Sequence, residues 1–201
     1  MSTKLATIDG VSVTQEVDGR VHWQSHATID ADGANGQNGN PFAYRLDNKG
    51  LDDIHGSAGY PDSGWKSVLI NDGSGHPLTD ADGNCYSSTT YRWKGRGVKT
   101  RYVDSTVVPY VVVNPIIRMV AKGVVIGCRA RVTYKGKTVD AVVADVSGRG
   151  RIGELSIAAG KALGFRSSSP RIGGVDSGVT FEFWPGTPAV VNGENYELQP
   201  A

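Results

Sequence analysis

Glycine interrupts the whole chain and limits the length of any regular element that the chain can form. The sequence has 27 glycines among 201 residues, and the apolar runs between them are short and often rich in valine. Glycine weakens helix interiors and suits turns, whereas valine favours strands. The sequence therefore predicts an all-β or β-rich fold with many turns, long loops and one helix.

A chain of this length can bury a core of its own, so we expect a single domain over residues 1–201. Its predicted parts are a polar N-terminal arm at 1–20, a core at about 21–187 and a C-terminal tail at 188–201. The predicted strands cover 22–28, 65–70, 109–113, 124–126, 129–134, 137–143 and 179–184. Lys135-Gly136 predicts a hairpin turn between two of them. The helix is predicted at 155–163, with Gly164 as its C-cap.

Charge is distributed unevenly along the chain. Residues 30–84 contain nine acidic and three basic side chains, whereas residues 85–175 contain sixteen basic and four acidic ones. This asymmetry indicates a charged substrate or partner, provided that folding does not mix the two segments on one surface.

Cysteine usage and hydropathy exclude several classes. Cys85 and Cys128 lack metal-ligand spacing and could form one disulfide or remain two buried thiols. No apolar run approaches the roughly 20 residues of a membrane span, so we expect no membrane insertion. Met1–Ala6 contains no apolar signal region, so we expect no signal peptide in this chain.

Asp145 and Glu154 are the strongest candidates for chemistry. Asp145 follows an apolar run, where desolvation would raise its pKa and suit a general acid. Glu154 precedes the predicted helix, whose dipole, with Arg149 and Arg151, would lower its pKa and suit a base that activates water. Two carboxyl groups in unlike surroundings are typical of glycosidic bond cleavage, although a solvated turn would also explain them.

Other motifs favour structural roles. The loops that begin at Asp30 and Asp80 share the tetrapeptide Asp-Ala-Asp-Gly, but both depart from the calcium-binding loop pattern. The four histidines show no metal-ligand spacing, so no metal and no cofactor is expected. Basic residues alternate with aromatic ones at 91–102, a pattern that suits sugar stacking or a solvated surface better than nucleic acid.

Several motifs in a constant order resemble the chitosanases of glycoside hydrolase family 75, which include secreted fungal enzymes and bacterial relatives. The resemblance extends over about 28–185. It is carried by the Asp-rich segment at 29–35, the segments at 102–104 and 108–112, the strand-loop-helix at 144–148 and 152–158, and the segments at 162–164 and 183–186.

The resemblance implies a double-psi β-barrel-like core and an inverting endo-hydrolase of β-1,4-linked glucosamine or N-acetylglucosamine polymers such as chitosan. Asp145 and Glu154 would be the catalytic pair. Further substrate-binding candidates are Asp30, Asp32, Tyr110 and Ser147. We expect a monomer that acts on a polysaccharide outside the cell, and phage-type or effector-type delivery would fit the missing signal peptide.

The sequence departs from the family at Val146 and Leu155, and its charge leaves the substrate open. Arg149 and Arg151 would repel a polycation unless the acidic segment folds over the cleft. If it does not, the glycan strands of peptidoglycan become the better substrate, for a lysin or an antibacterial effector. A non-catalytic glycan-binding module is the alternative outside the enzymes.

Overall fold

A computed structural model describes residues 1–200, apart from the side chain of Ser63. Its strands are β1 (Thr3–Ile8), β2 (Val11–Gln15), β3 (Val21–Asp30), β4 (Tyr44–Arg45), β5 (Asn84–Cys85), β6 (Tyr110–Val113), β7 (Cys128–Tyr134), β8 (Lys137–Val146), β9 (Glu154–Ser156), β10 (Val175–Val191) and β11 (Glu194–Tyr196). Two short α-helices, α1 (Pro115–Val120) and α2 (Ile157–Leu163), and two 3₁₀ turns, Gln37–Gly39 and Ser63–Ser67, complete the described elements.

Six of the strands close into a mixed barrel. They are hydrogen-bonded in the order β3-β9-β6-β8-β7-β10, and β10 pairs back onto β3. The β3–β9 and β6–β8 pairs are parallel, and the other four pairs of the ring are antiparallel. Closure removes the unpaired edges of the sheet. The β-rich prediction is therefore confirmed at the level of a closed six-stranded barrel.

The sequence pattern accounts for the barrel core. Strand β3 alternates, so that Val21, Trp23, Ser25 and Ala27 are buried while the side chains between them are more exposed. Strand β6 is buried along its whole length, which fits a valine run at the centre of a sheet. The Trp23 ring stacks on Phe181 with centroids 5.1 Å apart, so β3 and β10 are joined by aromatic contact as well as by backbone hydrogen bonds.

The predicted hairpin across Lys135-Gly136 is confirmed. Strands β7 and β8 pair antiparallel from Arg129–Val142 to Tyr134–Lys137. Lys135 and Gly136 both have positive φ, at 46° and 79°. This conformation matches the right-handed twist of a two-residue hairpin loop.

Two predicted strands were wrong. Residues 65–70 begin in a 3₁₀ turn, because the amides of Val68 and Leu69 both donate to the carbonyl oxygen of Trp65. Residues 124–126 lie outside the strands in a turned segment, where the amide of Val124 donates to the carbonyl of Ala121. In both places the segment lies outside the strands of the sheet and pairs through one isolated bridge, Leu69 with Ser87 and Ile126 with Gln199.

The two ends of the chain extend the sheet. The predicted polar arm contains the β1–β2 hairpin, and β2 pairs antiparallel with β3. The predicted tail continues β10 past Pro185-Gly186 through a β-bulge and returns as β11. Cys85 and Cys128 are both buried free thiols. Within residues 1–200, no helix is long and apolar enough to cross a membrane.

Candidate active site

A cleft lies where the ends of three barrel strands meet. Strand β3 ends at Asp30, β8 ends one residue after Asp145, and β9 begins at Glu154. Strand β6 lies between β8 and β9 in the sheet. The closed barrel thus brings together carboxyl groups that are as many as 124 residues apart in the chain.

The cleft has a volume of about 550 Å³ and is strongly acidic. Its charged lining consists of Asp9, Asp30, Asp32, Asp52, Asp145, Glu154 and Arg151, with His26 beside them. Ser147 also lines it, and the Ser147 hydroxyl donates to the carbonyl of Arg151 at 3.1 Å. Five of the six predicted site residues therefore share one cleft.

Tyr110 is the sixth, and it lies behind the cleft. Its side chain is fully buried, and its hydroxyl donates to Oδ2 of Asp30 at 2.9 Å and is 3.0 Å from the carbonyl oxygen of Asp32. The structure therefore gives Tyr110 a position that supports Asp30, in place of the substrate contact that the sequence predicted.

Asp145 is held by one of its two carboxyl oxygens. Oδ1 accepts hydrogen bonds from the Thr90 amide at 3.1 Å, the Thr90 hydroxyl at 2.7 Å and the Val146 amide at 2.8 Å. Among residues 1–200, Oδ2 has no hydrogen-bond partner. The carboxyl group is thus fixed in orientation with one oxygen left for the cleft.

Glu154 does not open a helix, which corrects the sequence-based prediction. It begins β9, and helix α2 starts three residues later, where the Ser156 hydroxyl accepts the amide of Ala159. Gly153 makes this possible, since its φ is +90° and a Cβ there would collide with the carbonyl oxygen of His26. Strand β9 can therefore pair with β3, and no helix dipole acts directly on Glu154.

The pKa values of the carboxyl groups are raised, because burial disfavours their charged forms and they repel one another. Burial, and to a lesser extent the negative charge of Asp30, raise the pKa of Asp145 to about 7, which is the predicted direction. The same two causes raise the pKa of Glu154 to about 8, with Arg151 opposing them. The prediction of a lowered pKa for Glu154 was therefore wrong.

Asp30 and Asp32 belong to the same electrostatic group. Burial raises the pKa of Asp30 to about 6, although the Asp32 amide and the Tyr110 hydroxyl act in the opposite direction. Burial, Asp30 and Asp145 raise the pKa of Asp32 well above its ordinary value. Protons are consequently shared within this group around neutral pH.

Three of these carboxyl groups are close enough to share a cation. One oxygen each from Asp30, Asp32 and Asp145 lies within 4.8 Å of the others. Carboxylate oxygens are ligands for Mg²⁺, Ca²⁺ or Mn²⁺. The related loop at Asp80 differs, because Oδ1 of Asp80 accepts the amides of Asp82 and Asn84 in an exposed turn.

Part of the acidic segment of the chain lines the cleft. Asp52 lines it, and the guanidinium of Arg171 fixes the Asp52 segment by donating to the carbonyls of Asn48 at 2.7 Å and Asp52 at 2.8 Å. Of the two arginines expected near the acids, Arg151 lines this cleft, whereas Arg149 is absent from its described lining.

Four residues of the site were missed in the sequence. Tyr44 donates to Oδ1 of Asp32 at 2.9 Å, Asp52 adds negative charge, and Thr90 holds Asp145. The amide nitrogen of Asn114 lies 2.7 to 3.2 Å from the carbonyls of Gly148, Arg149 and Arg151 and anchors the loop before Glu154. Only Asn114 had a local signal, since Asn-Pro indicates a helix N-cap.

Comparisons with known proteins add no family to this description. No protein-family model matches the chain, and no curated protein sequence is significantly similar to it. The fold and the site define a six-stranded mixed barrel with a carboxyl-lined cleft.

Proposed function

We propose that the protein is an endo-acting, inverting glycoside hydrolase that cleaves β-1,4-linked amino-sugar polymers. The observation that carries this proposal is the presence of Asp145 and Glu154 in one open cleft, with pKa values of about 7 and about 8. At neutral pH such a pair can supply one proton donor and one proton acceptor, as glycosidic cleavage requires.

The hydrogen bonding of Asp145 favours roles opposite to those expected from the sequence. Its Oδ2 atom has no hydrogen-bond partner among residues 1–200 and is free to accept a proton from a water molecule, so we assign Asp145 as the base. Glu154, whose pKa is raised by burial, is then the general acid for the leaving oxygen. For inversion, the two groups should lie roughly 6.5–9.5 Å apart to admit that water.

Glucosamine-containing polymers are the substrates that the cleft charge supports. Six acidic side chains line the cleft against Arg151 and His26. A protonated sugar amine would reduce the repulsion among buried carboxylates, and this would favour binding.

The barrel supports a finer fold assignment within the same proposal. Two parallel pairs, β3–β9 and β6–β8, are joined into one closed ring by antiparallel pairs. This arrangement is compatible with a double-psi β-barrel, the fold that the resemblance to family 75 implies.

The test is a reducing-end assay on chitosans of graded acetylation, with NMR detection of the first-formed anomer. We expect new reducing ends of inverted configuration. Asp145→Asn and Glu154→Gln should each lose about 10²- to 10⁴-fold in kcat. The matched control is Asp140→Asn, which alters an exposed carboxylate of the same strand.

Other outcomes would separate the alternatives. Retained configuration would contradict the inverting mechanism. If the parent and both variants bind the glycan equally and release no reducing ends, the protein is a glycan-binding module instead.

A further inference from the structure

Two more cavities continue from the acidic cleft on the other side of Asp145. The second cavity has a volume of about 350 Å³ and shares Ser67 and Asp145 with the acidic cleft. The third has a volume of about 560 Å³ and shares Thr90 and Arg92 with the second. The three cavities therefore lie in a row, each sharing lining residues with the next, as the subsites of a groove for a polymer would.

The charge of the lining changes sign along this groove. The second cavity is lined by Lys66 and Arg92, and Asp145 is its one carboxylate. The third is lined by Arg92, Lys94 and Arg118, with no acidic residue in its described lining. We call the Lys66, Arg92 and Arg118 side chains the basic subsites.

The fold fixes the backbone of Arg92 and places Arg118 on a helix. The side-chain amide of Gln199 accepts the Arg92 amide at 3.2 Å and donates to the Arg92 carbonyl at 2.8 Å. Arg118 is half-buried on helix α1. Within residues 1–200, no carboxylate lies within 4 Å of either guanidinium, whereas the Lys94 ammonium is 3.5 Å from Glu197.

Lining of this kind suits an anionic sugar. Ser88, Thr89 and Thr90 line the second cavity, although the Thr89 and Thr90 hydroxyls already donate to Tyr91 and Asp145, and the third cavity has an apolar wall formed by Ile126, Leu198 and Pro200. Guanidinium groups bind carboxylates through paired, charge-assisted hydrogen bonds. A polymer that is uniformly cationic would be repelled here, although the acidic cleft would attract it.

We propose that the basic subsites bind carboxylate groups of an amino-sugar polymer, on sugars beyond the one that lies in the acidic cleft. The natural class with this chemistry is a glycan strand in which alternate sugars carry a lactyl ether with a free carboxylate, as in peptidoglycan from which the stem peptides have been removed. This inference rests on the proposed function, because that function places the scissile bond beside Asp145.

The test uses two matched pairs of probes. Peptide-free peptidoglycan strands are compared with chitin oligomers, which differ by the lactyl group, and carboxymethyl chitosan is compared with chitosan. For each pair, the ratio of kcat/KM values and the ratio of dissociation constants are measured at low ionic strength. We expect both ratios to favour the carboxylated member.

The variant Arg92→Gln/Arg118→Gln should lower that preference about tenfold or more, since two charge-assisted contacts are lost. Lys4→Gln is the control, because it removes one exposed positive charge from β1, and it should leave the ratio unchanged. A preference for peptidoglycan strands over carboxymethyl chitosan would assign the lactyl group as the source of the carboxylate.

The two proposals fail in different ways. If no probe is cleaved, the proposed hydrolase activity fails, and the dissociation constants alone decide the anionic subsites. The inference would be overturned if both members of each pair bound equally, or if no probe bound. It would also be overturned if the double variant kept the preference for the carboxylated member.

Discussion

Thr90 contacts Asp145 twice on the same oxygen, through its backbone amide at 3.1 Å and its hydroxyl at 2.7 Å. Hydrogen bonds to a carboxylate stabilise its charged form, so this contact holds the pKa of Asp145 lower than burial alone would. Thr90 is therefore a positioning residue that also influences the pH range in which Asp145 can accept a proton.

Replacing Thr90 should move the pH dependence of the reaction. Thr90→Val keeps the shape and loses the hydroxyl contact, so the pKa of Asp145 should rise further above about 7. With Asp145 as the base, the acidic limb of kcat/KM should move to higher pH, measured on chitosan. Thr90→Ser keeps the hydroxyl and should leave the limb in place. An unchanged limb in Thr90→Val would contradict Asp145 as the base.

Removing the charge of Asp30 should shift both limbs of the pH profile of kcat/KM. Its charge raises the pKa of Asp145 and that of Glu154. Asp30→Asn removes that charge, so the acidic and basic limbs should both move to lower pH. The readout is the pH profile of kcat/KM, with Asp140→Asn as the control. Movement of one limb alone would show that Asp30 is coupled to only one member of the pair.

The raised pKa values also predict how stability depends on pH. In the unfolded chain the pKa is 3.8 for aspartate and 4.5 for glutamate, whereas in the folded protein the pKa values of Asp30, Asp145 and Glu154 are about 6, about 7 and about 8. Between those ranges the folded state binds more protons, so stability falls as pH rises. The slope is about 1.4 kcal/mol per pH unit for each such group.

Thermal unfolding followed by calorimetry should therefore give a higher Tm at pH 5 than at pH 8.5. Glu154→Gln and Asp145→Asn should flatten the dependence and raise Tm at pH 8.5. A Tm that increases from pH 5 to pH 8.5 would contradict the buried acidic group.

Asn114 should control the loop that precedes Glu154. Asn114→Asp keeps the oxygen that accepts the Ile116 amide at 2.8 Å and caps α1. It replaces the amide nitrogen with a carboxylate oxygen, which would be repelled by the three carbonyl oxygens that the amide now contacts. We expect a loss of about 1–3 kcal/mol in the free energy of unfolding and faster amide exchange at 148–153. Asn195→Asp, at an exposed position of β11, is the control. Unchanged exchange in that loop would show that Asn114 does not anchor it.

Local features of the sequence were sufficient for part of this fold. The Lys135-Gly136 hairpin was predictable because its turn chemistry and alternation lie within one short segment. The end of the apolar run at Asp145 likewise indicated a buried acid. Ser156 could have been read as the N-cap of α2, which would have moved Glu154 out of the helix.

Long-range contacts account for what the sequence could not predict. Glu154 is in a strand because β9 pairs with β3, and Thr28, its partner, is far away in the chain. Asp52 reaches the cleft because Arg171 holds its segment. The segment 65–70 has an apolar pattern, but it begins in a 3₁₀ turn and pairs with its neighbour only through an isolated bridge between Leu69 and Ser87.

The shared protons of the acidic cleft have a consequence for ligand binding. Because Asp145 and Glu154 retain protons near neutral pH, a cationic ligand would compete with hydrogen ions for the same oxygens. Its apparent affinity would then strengthen as the medium becomes more alkaline, until the ligand's own amine loses its charge. The heat of binding would depend on the ionisation enthalpy of the buffer that takes up the displaced hydrogen ions.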